Sequence, residues 1–167
     1  MQLLAEEHKN AARKAMKLLE HMDRTEKGLR ERLRQAGFGQ EAIDAAIAYV
    51  ESYGYIDDYR YARTYIAYRM DIKSRQKLMQ ELATKGVGKA TAAAAWEAEA
   101  SLHMPDEREI LRCTVEKKYA PGSELDEKEM RRLYGYLGRR GFQFSDISGV
   151  LEEMKIQVTA YNNTEKY

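Results

Sequence analysis

The stretch LRERLRQAGF (residues 29–38) sets two leucines four apart, Leu29 and Leu33, among charges and closes on Gly37-Phe38. The frame returns as LMQELATKGV (78–87), with Leu78, Leu82, Gly86 and Val87. It returns again as LYGYLGRRGF (133–142), with Leu133, Leu137, Gly141 and Phe142. With the three glycines aligned, the agreement runs on. Ile43, Ala92 and Ile147 share one later position, Ala46, Ala95 and Val150 a second, and Ile47, Trp96 and Leu151 a third. These spacings draw one apolar stripe along a helix after each glycine. Upstream of each leucine pair lies another helical stretch. It carries Ala12, Met16 and Leu19 in the first unit, Tyr61, Tyr65 and Tyr68 in the second, and Ile110, Leu111, Thr114 and Val115 in the third.

Each unit therefore reads helix, helix, glycine, helix. The spacing predicts nine helices near 3–22, 25–36, 40–53, 57–70, 73–85, 89–103, 105–119, 126–140 and 145–155. Gly37, Gly86 and Gly141 suit the left-handed position just past a helix end. Asp57 is a capping acceptor for the fourth helix. Pro105 with Asp106 and Glu107 reads as a helix start, and Asp126 with Glu129 as a capping box. Residues 119–126 read as a loop. The predicted fold is all-α, an elongated tandem array of three three-helix repeats. Their spans are 1–56, 57–104 and 105–155, followed by a loose C-terminal tail at 156–167.

Composition agrees. The 167 residues are 44% hydrophobic and 33% charged, with two prolines. That is too apolar for a disordered chain and favours helix. The single cysteine, Cys113, excludes an internal disulfide and sits at core-like helical spacing. No N-terminal apolar run resembles a signal peptide, and none approaches the ~20 residues of a membrane span. The expectation is a soluble, cytoplasmic monomer.

A formal net charge of +1 announces no nucleic-acid binder, so any electrostatic function rests on local segregation. Residues 60–77 carry Arg60, Arg63, Arg69, Lys73, Arg75 and Lys77 against Asp71 alone. Residues 24–34 carry Arg24, Lys27, Arg30, Arg32 and Arg34 against Glu26 and Glu31, and residues 128–140 carry Lys128, Arg131, Arg132, Arg139 and Arg140 against Glu129. The second helix of each unit is thus basic, and the third neutral or acidic. Stacked units could align these helices into one stripe suited to a phosphate backbone or an acidic protein groove. The alternative is solvated faces held by i,i+4 pairs. Tyr61, Tyr65 and Tyr68 recur at helical spacing and read as a core stripe with phenolic tips at the rim.

Catalytic signals are missing. KGVGKAT (85–91) has Ala83 and Ala90 where a P-loop needs glycine and Ser or Thr. His8, His21 and His103 show no ligand spacing, so no metal or cofactor is expected. Asp57 and Asp58 read as helix-start acids rather than an acid–base pair.

GYIDDYRYARTYIAYR (54–69) followed by KLMQELATKGV (77–87) resembles the signature stretch of RecX regulatory proteins. AMKLLEHMDRTEKGLRERLRQAGF (15–38) and KEMRRLYGYLGRRGFQFSDISGVL (128–151) resemble that family's flanking repeats, so the likeness covers about residues 11–155. It implies a non-enzymatic modulator that binds the RecA–DNA filament and inhibits ATP hydrolysis, strand exchange and the coprotease role in the DNA-damage response. It also implies contact with DNA phosphates in some members. Charge placement within this resemblance nominates Arg63, Arg69, Lys73, Arg75 and Lys77 as contacts, flanked by Arg30, Arg34, Arg131, Arg132, Arg139 and Arg140. The alternatives are a direct DNA-binding repeat protein and a passive helical scaffold.

Overall fold

The computed structural model describes residues 2–159, with side chains from residue 5 onward. Nine helices occur among the described residues. They are α1 (Gln2–His21), α2 (Glu26–Gln35), α3 (Gln40–Ser52), α4 (Asp58–Ala67), α5 (Arg75–Thr84), α6 (Lys89–Leu102), α7 (Glu107–Glu116), α8 (Glu127–Arg139) and α9 (Phe144–Glu153). Within each repeat the first helix packs on the third: α1 on α3, α4 on α6, α7 on α9.

The starts and stops have local causes. Thr25 accepts from the Gly28 N–H, Asp57 from Arg60, and Asp106 from Arg108 and Glu109. Asp126 and Glu129 exchange both bonds of a capping box. At the end of each second helix, Gly37, Gly86 and Gly141 take φ of 88°, 88° and 87°. The next residue's N–H then reaches back to the second leucine's carbonyl: Phe38 to Leu33, Val87 to Leu82, Phe142 to Leu137. This reach-back turn satisfies a carbonyl the helix leaves over, and its left-handed residue favours glycine.

The aligned apolar positions are the core. Both leucines of each pair are buried, as are Ile43, Ala92 and Ile147, then Ala46, Ala95 and Val150, then Ile47, Trp96 and Leu151. The tyrosine stripe of α4 is not core. Ala62 and Ile66 fill that place, Tyr61 and Tyr65 are half-buried, and Tyr68 is 78% exposed. The stripe is rotated by one residue because small Ala62 and branched Ile66 fit the tight contact with α6 better than rings. Two helices end early. Tyr68 caps α4, and Lys117 caps α7.

The tail also differs from expectation at its start. Glu124–Leu125 (β1) pairs in parallel with Gln157–Val158 (β2), and Ile156 is buried. Burial of Ile156 and the bond from Thr159 N–H to the Leu125 carbonyl (2.8 Å) hold this segment. Residues 160–167 lie outside the described residues.

Among the described residues, the chain forms two compact units. One is Met1–Tyr68 with Met79–Met104, the other Arg69–Leu78 with Pro105–Tyr167. The division passes through α5, not between repeats. The first turn of α5 belongs with the third repeat and the remainder with the first unit.

Candidate functional site

A second helix has unsatisfied N–H groups at its start and an unsatisfied carbonyl at its end. The repeats satisfy these from one another, twice, by the same device.

In the first unit, the Thr25 hydroxyl is buried. It accepts from the Gly28 N–H (3.1 Å) and donates to the Lys85 carbonyl (2.7 Å), just before Gly86. Asp58, at the start of α4, accepts from the Glu26 N–H (2.9 Å). In the second unit, buried Ser74 accepts from the Lys77 N–H (3.2 Å) and donates to the Arg140 carbonyl (2.9 Å), just before Gly141. Glu107, at the start of α7, accepts from the Arg75 N–H. Asp58 and Glu107 are each 32 residues beyond the amide they bind. Each joint thus fixes the start of one second helix to the end of the next. An acid at a helix start also suits the helix dipole.

The joint in the second unit gathers cations. Lys73, Arg75 and Lys77 flank Ser74 at the start of α5, and Arg139 and Arg140 close α8 on the far side of the hydrogen bond. The Arg140 guanidinium lies 3.9 Å from the Tyr136 ring centroid, and Lys118 Nζ lies 4.3 Å from it. The ring binds cations through its negative face and leaves their charge uncancelled. Arg69 precedes this cluster in the turn after α4, its carbonyl accepting from Ile72 and Lys73. Arg131 and Arg132 are exposed on α8, roughly 12 Å along the axis from Arg139 at 1.5 Å per residue.

The nominated arginines of the first unit have other attachments. Arg30 is bound by Glu26 (2.7 Å) and Asp44 (2.5 Å). The Arg30 hydrogen bond holds the Asp44 carboxyl below its usual range. Arg63 is paired with Glu99 (2.5 Å). Arg34 is exposed and shares an open groove of about 460 Å³ with Lys27, Arg30, Glu31 and Asp58. Burial raises the Asp58 carboxyl, and the nearby charges of Glu26 and Asp57 raise it further, against the lowering bond from the Glu26 N–H.

The remaining chemical candidates are structural. Asp57 caps α4, and Asp58 accepts from the first amide of α2. Cys113 is exposed rather than core, and its bond to Glu109, then desolvation, pushes the thiol up, away from the reactive thiolate. His103 closes α6. Among the described residues, no group of three or more His, Cys, Asp or Glu is placed to hold a metal ion. No described helix is long and apolar enough to cross a membrane. Sequence reasoning missed the Lys118–Tyr136–Arg140 stack, although Tyr136 and Arg140 stand at i,i+4 on one helix face.

Three family descriptions match this chain in order: RecX first three-helix domain over residues 11–49, second over 57–95 and third over 106–151. The chain belongs to the RecX family. It is 32% identical over 147 residues to the regulatory protein RecX of Caldanaerobacter subterraneus subsp. tengcongensis, covering 87% of this chain and 71% of that one. The RecX of Clostridium acetobutylicum is 30% identical over 147 residues, covering 86% of this chain and 68% of its own. That of Amycolatopsis mediterranei is 31% identical over 140 residues, covering 82% and 78%. The crystal structure of RecX from Lactobacillus salivarius superposes with a TM-score of 0.66 at 19% identity, over 90% of this chain and 97% of that one. A second RecX crystal structure gives 0.65 at 22% identity, over 90% and 74%. Both share the fold of tandem three-helix RecX repeats.

Proposed function

We propose that the protein is a cytoplasmic, non-enzymatic regulator that binds the RecA–DNA filament as a monomer. Bound there, it inhibits ATP hydrolysis, strand exchange and the filament's coprotease role. Family membership supports the partner. The observation that carries the contact surface is the cluster of Lys73, Arg75, Lys77, Arg139 and Arg140 around the Ser74–Arg140 hydrogen bond. The joint fixes the backbone beneath these cations, so less freedom is lost when they meet an anionic surface. Arg69, Arg131 and Arg132 belong to the same contact set, as do Arg34 and the carboxylate-paired Arg30 and Arg63. The repeats are taken as 1–56, 57–104 and 105–155, and the surface draws on the second and third.

The test is RecA ATP hydrolysis on single-stranded DNA, titrated with the protein, with binding to bare DNA measured in parallel. Hydrolysis should fall at concentrations that leave bare DNA unbound. The triple variant Arg69→Glu, Arg75→Glu, Lys77→Glu should lose inhibition with helicity intact. Loss of hydrolysis only in step with coating of bare strand makes the protein a competitor for DNA, with a salt slope near 0.7 per contacted phosphate. No loss at all removes the recombinase reading and leaves a helical scaffold.

A further inference from the structure

A second charged surface lies on α1 and uses none of the residues nominated above. Residues 8–19, HKNAARKAMKLL, hold Lys9, Arg13, Lys14 and Lys17 and no carboxylate. All four cations are exposed. Lys9, Arg13 and Lys17 recur every four residues and so share one helix face. Beside that face runs a groove of about 520 Å³ between α1 and α3. Its floor is aliphatic, formed by Ala12, Met16 and Ala45, and Lys9 and Arg13 stand at its rim. Tyr49 lines one end. Tyr49 opens a row of exposed rings in which Tyr49 meets Tyr53 at 5.1 Å and Tyr53 meets Tyr55 at 5.7 Å. They are 46%, 60% and 44% exposed. An apolar floor, a cationic rim and a row of exposed tyrosines are together the composition of a recognition surface.

We infer that this groove docks an acidic protein segment carrying an aliphatic anchor, and that the segment belongs to the recombinase filament. The anchor occupies the Ala12–Met16–Ala45 floor, and carboxylates meet Lys9, Arg13 and Lys17. Two observations favour protein over a nucleic-acid strand. The floor is aliphatic, where a base needs a flat ring to stack on. Tyr53 and Tyr55 also stack on each other at 16° between planes, and Tyr49 is tilted 58° to Tyr53, so the three rings form no single platform for successive bases. The assignment to the filament rests on the recombinase reading above.

The experiment is co-sedimentation of the full chain with RecA filaments on single-stranded DNA. It compares wild type, the variant Lys9→Glu, Arg13→Glu, Lys17→Glu, and separately Tyr49→Ala. Anisotropy on a bare oligo-dT strand is run alongside. These side chains are exposed, and thermal melting checks that each variant stays folded. The triple reversal should weaken pelleting about tenfold or more and Tyr49→Ala several-fold, both without change in oligo-dT binding. Lys9→Gln, Arg13→Gln, Lys17→Gln should fall between wild type and the reversal. Wild-type pelleting that the reversals leave unchanged overturns this inference and spares the recombinase reading. Loss of oligo-dT binding in the reversals also overturns it, making the face a nucleic-acid surface. Failure of the wild type to pellet overturns both.

Discussion

The Thr25 and Ser74 joints share one geometry and differ in their surroundings. Around Thr25, positive charge is met locally: Arg30 by Glu26 and Asp44, and Lys27 Nζ by the Thr84 carbonyl at 3.4 Å. Around Ser74, Lys73, Arg75, Lys77, Arg139 and Arg140 gather, and Arg140 rests on a tyrosine ring. The same backbone device thus stands beside a pair of carboxylates in one place and beside a run of five cations in the other. The choice lies in side chains that the joint does not use. That separation lets a repeat scaffold carry a contact surface in one place and plain structure in another.

The glycines offer the strongest way to break this pairing. A methyl group at Gly141 would overlap the Ser74 hydroxyl and stand 2.9 Å from the Lys77 amide nitrogen. At Gly86 it would overlap the Lys27 side chain, and at Gly37 it would meet nothing within 4 Å. All three substitutions bear the left-handed backbone penalty. Gly37→Ala should therefore cost ~1 kcal/mol, Gly86→Ala about 2 and Gly141→Ala about 3 or more. Urea unfolding measures the series. Equal costs would show that the joints add nothing beyond backbone strain.

Next come the hydroxyls. Ser74→Ala leaves the Arg140 carbonyl and the Lys77 N–H without their partner, and Thr25→Ala does the same to Lys85 and Gly28. Each should cost about 2 kcal/mol, and Thr25→Ser should recover most of it. Only Ser74→Ala should also weaken inhibition of ATP hydrolysis, because it loosens the ground under the cation cluster. Equal functional loss in both variants would erase the distinction between the joints.

Charge substitutions sharpen the same contrast. Lys73→Glu, Lys77→Glu and Arg140→Glu together should raise the half-inhibiting concentration about tenfold. Arg30→Gln with Arg63→Gln should stay within about twofold, since carboxylates already occupy both guanidinium groups. A reversed ranking would move the contact surface to the first unit.

The smallest effect concerns acidity. The folded state raises the Asp58 carboxyl, chiefly by burial. It therefore binds a proton more readily than the unfolded chain, and its contribution to stability falls as pH rises through its titration. Asp58→Asn keeps an acceptor for the Glu26 N–H and removes the charge. It should gain about 0.5 kcal/mol or less at neutral pH, after discounting for solvent. The gain should vanish as pH falls through the carboxylate range. A gain that persists at low pH would point to packing instead of charge.

Much of this was legible because its causes are local. The aligned leucines, the glycine stops and the Asp57 and Asp126 caps each act within four residues, so their spacing alone located the repeats. The joints were not legible. Thr25 and Lys85 are 60 residues apart, and Ser74 and Arg140 are 66 apart. Both hydroxyls stand twelve residues before their glycines, but that spacing names no partner. The tyrosines of α4 misled because a stripe at i, i+4 and i+7 is equally periodic when rotated by one residue. The cationic face of α1 was not legible as a groove because Ala45 and Tyr49, which complete it, stand on α3. The β1–β2 pair is two residues long, too short for any alternation to register.

The joints address the neighbouring repeat through its main chain. The hydroxyl reads a carbonyl and the carboxylate reads an amide, whatever side chains stand at 26, 75, 85 and 140. A repeat can therefore change nearly all of its outer surface in evolution and still register with its neighbour. It must keep one hydroxyl, one acid and one glycine. Exchanging whole repeats between relatives should then preserve alignment, so new contact surfaces can be assembled from old modules.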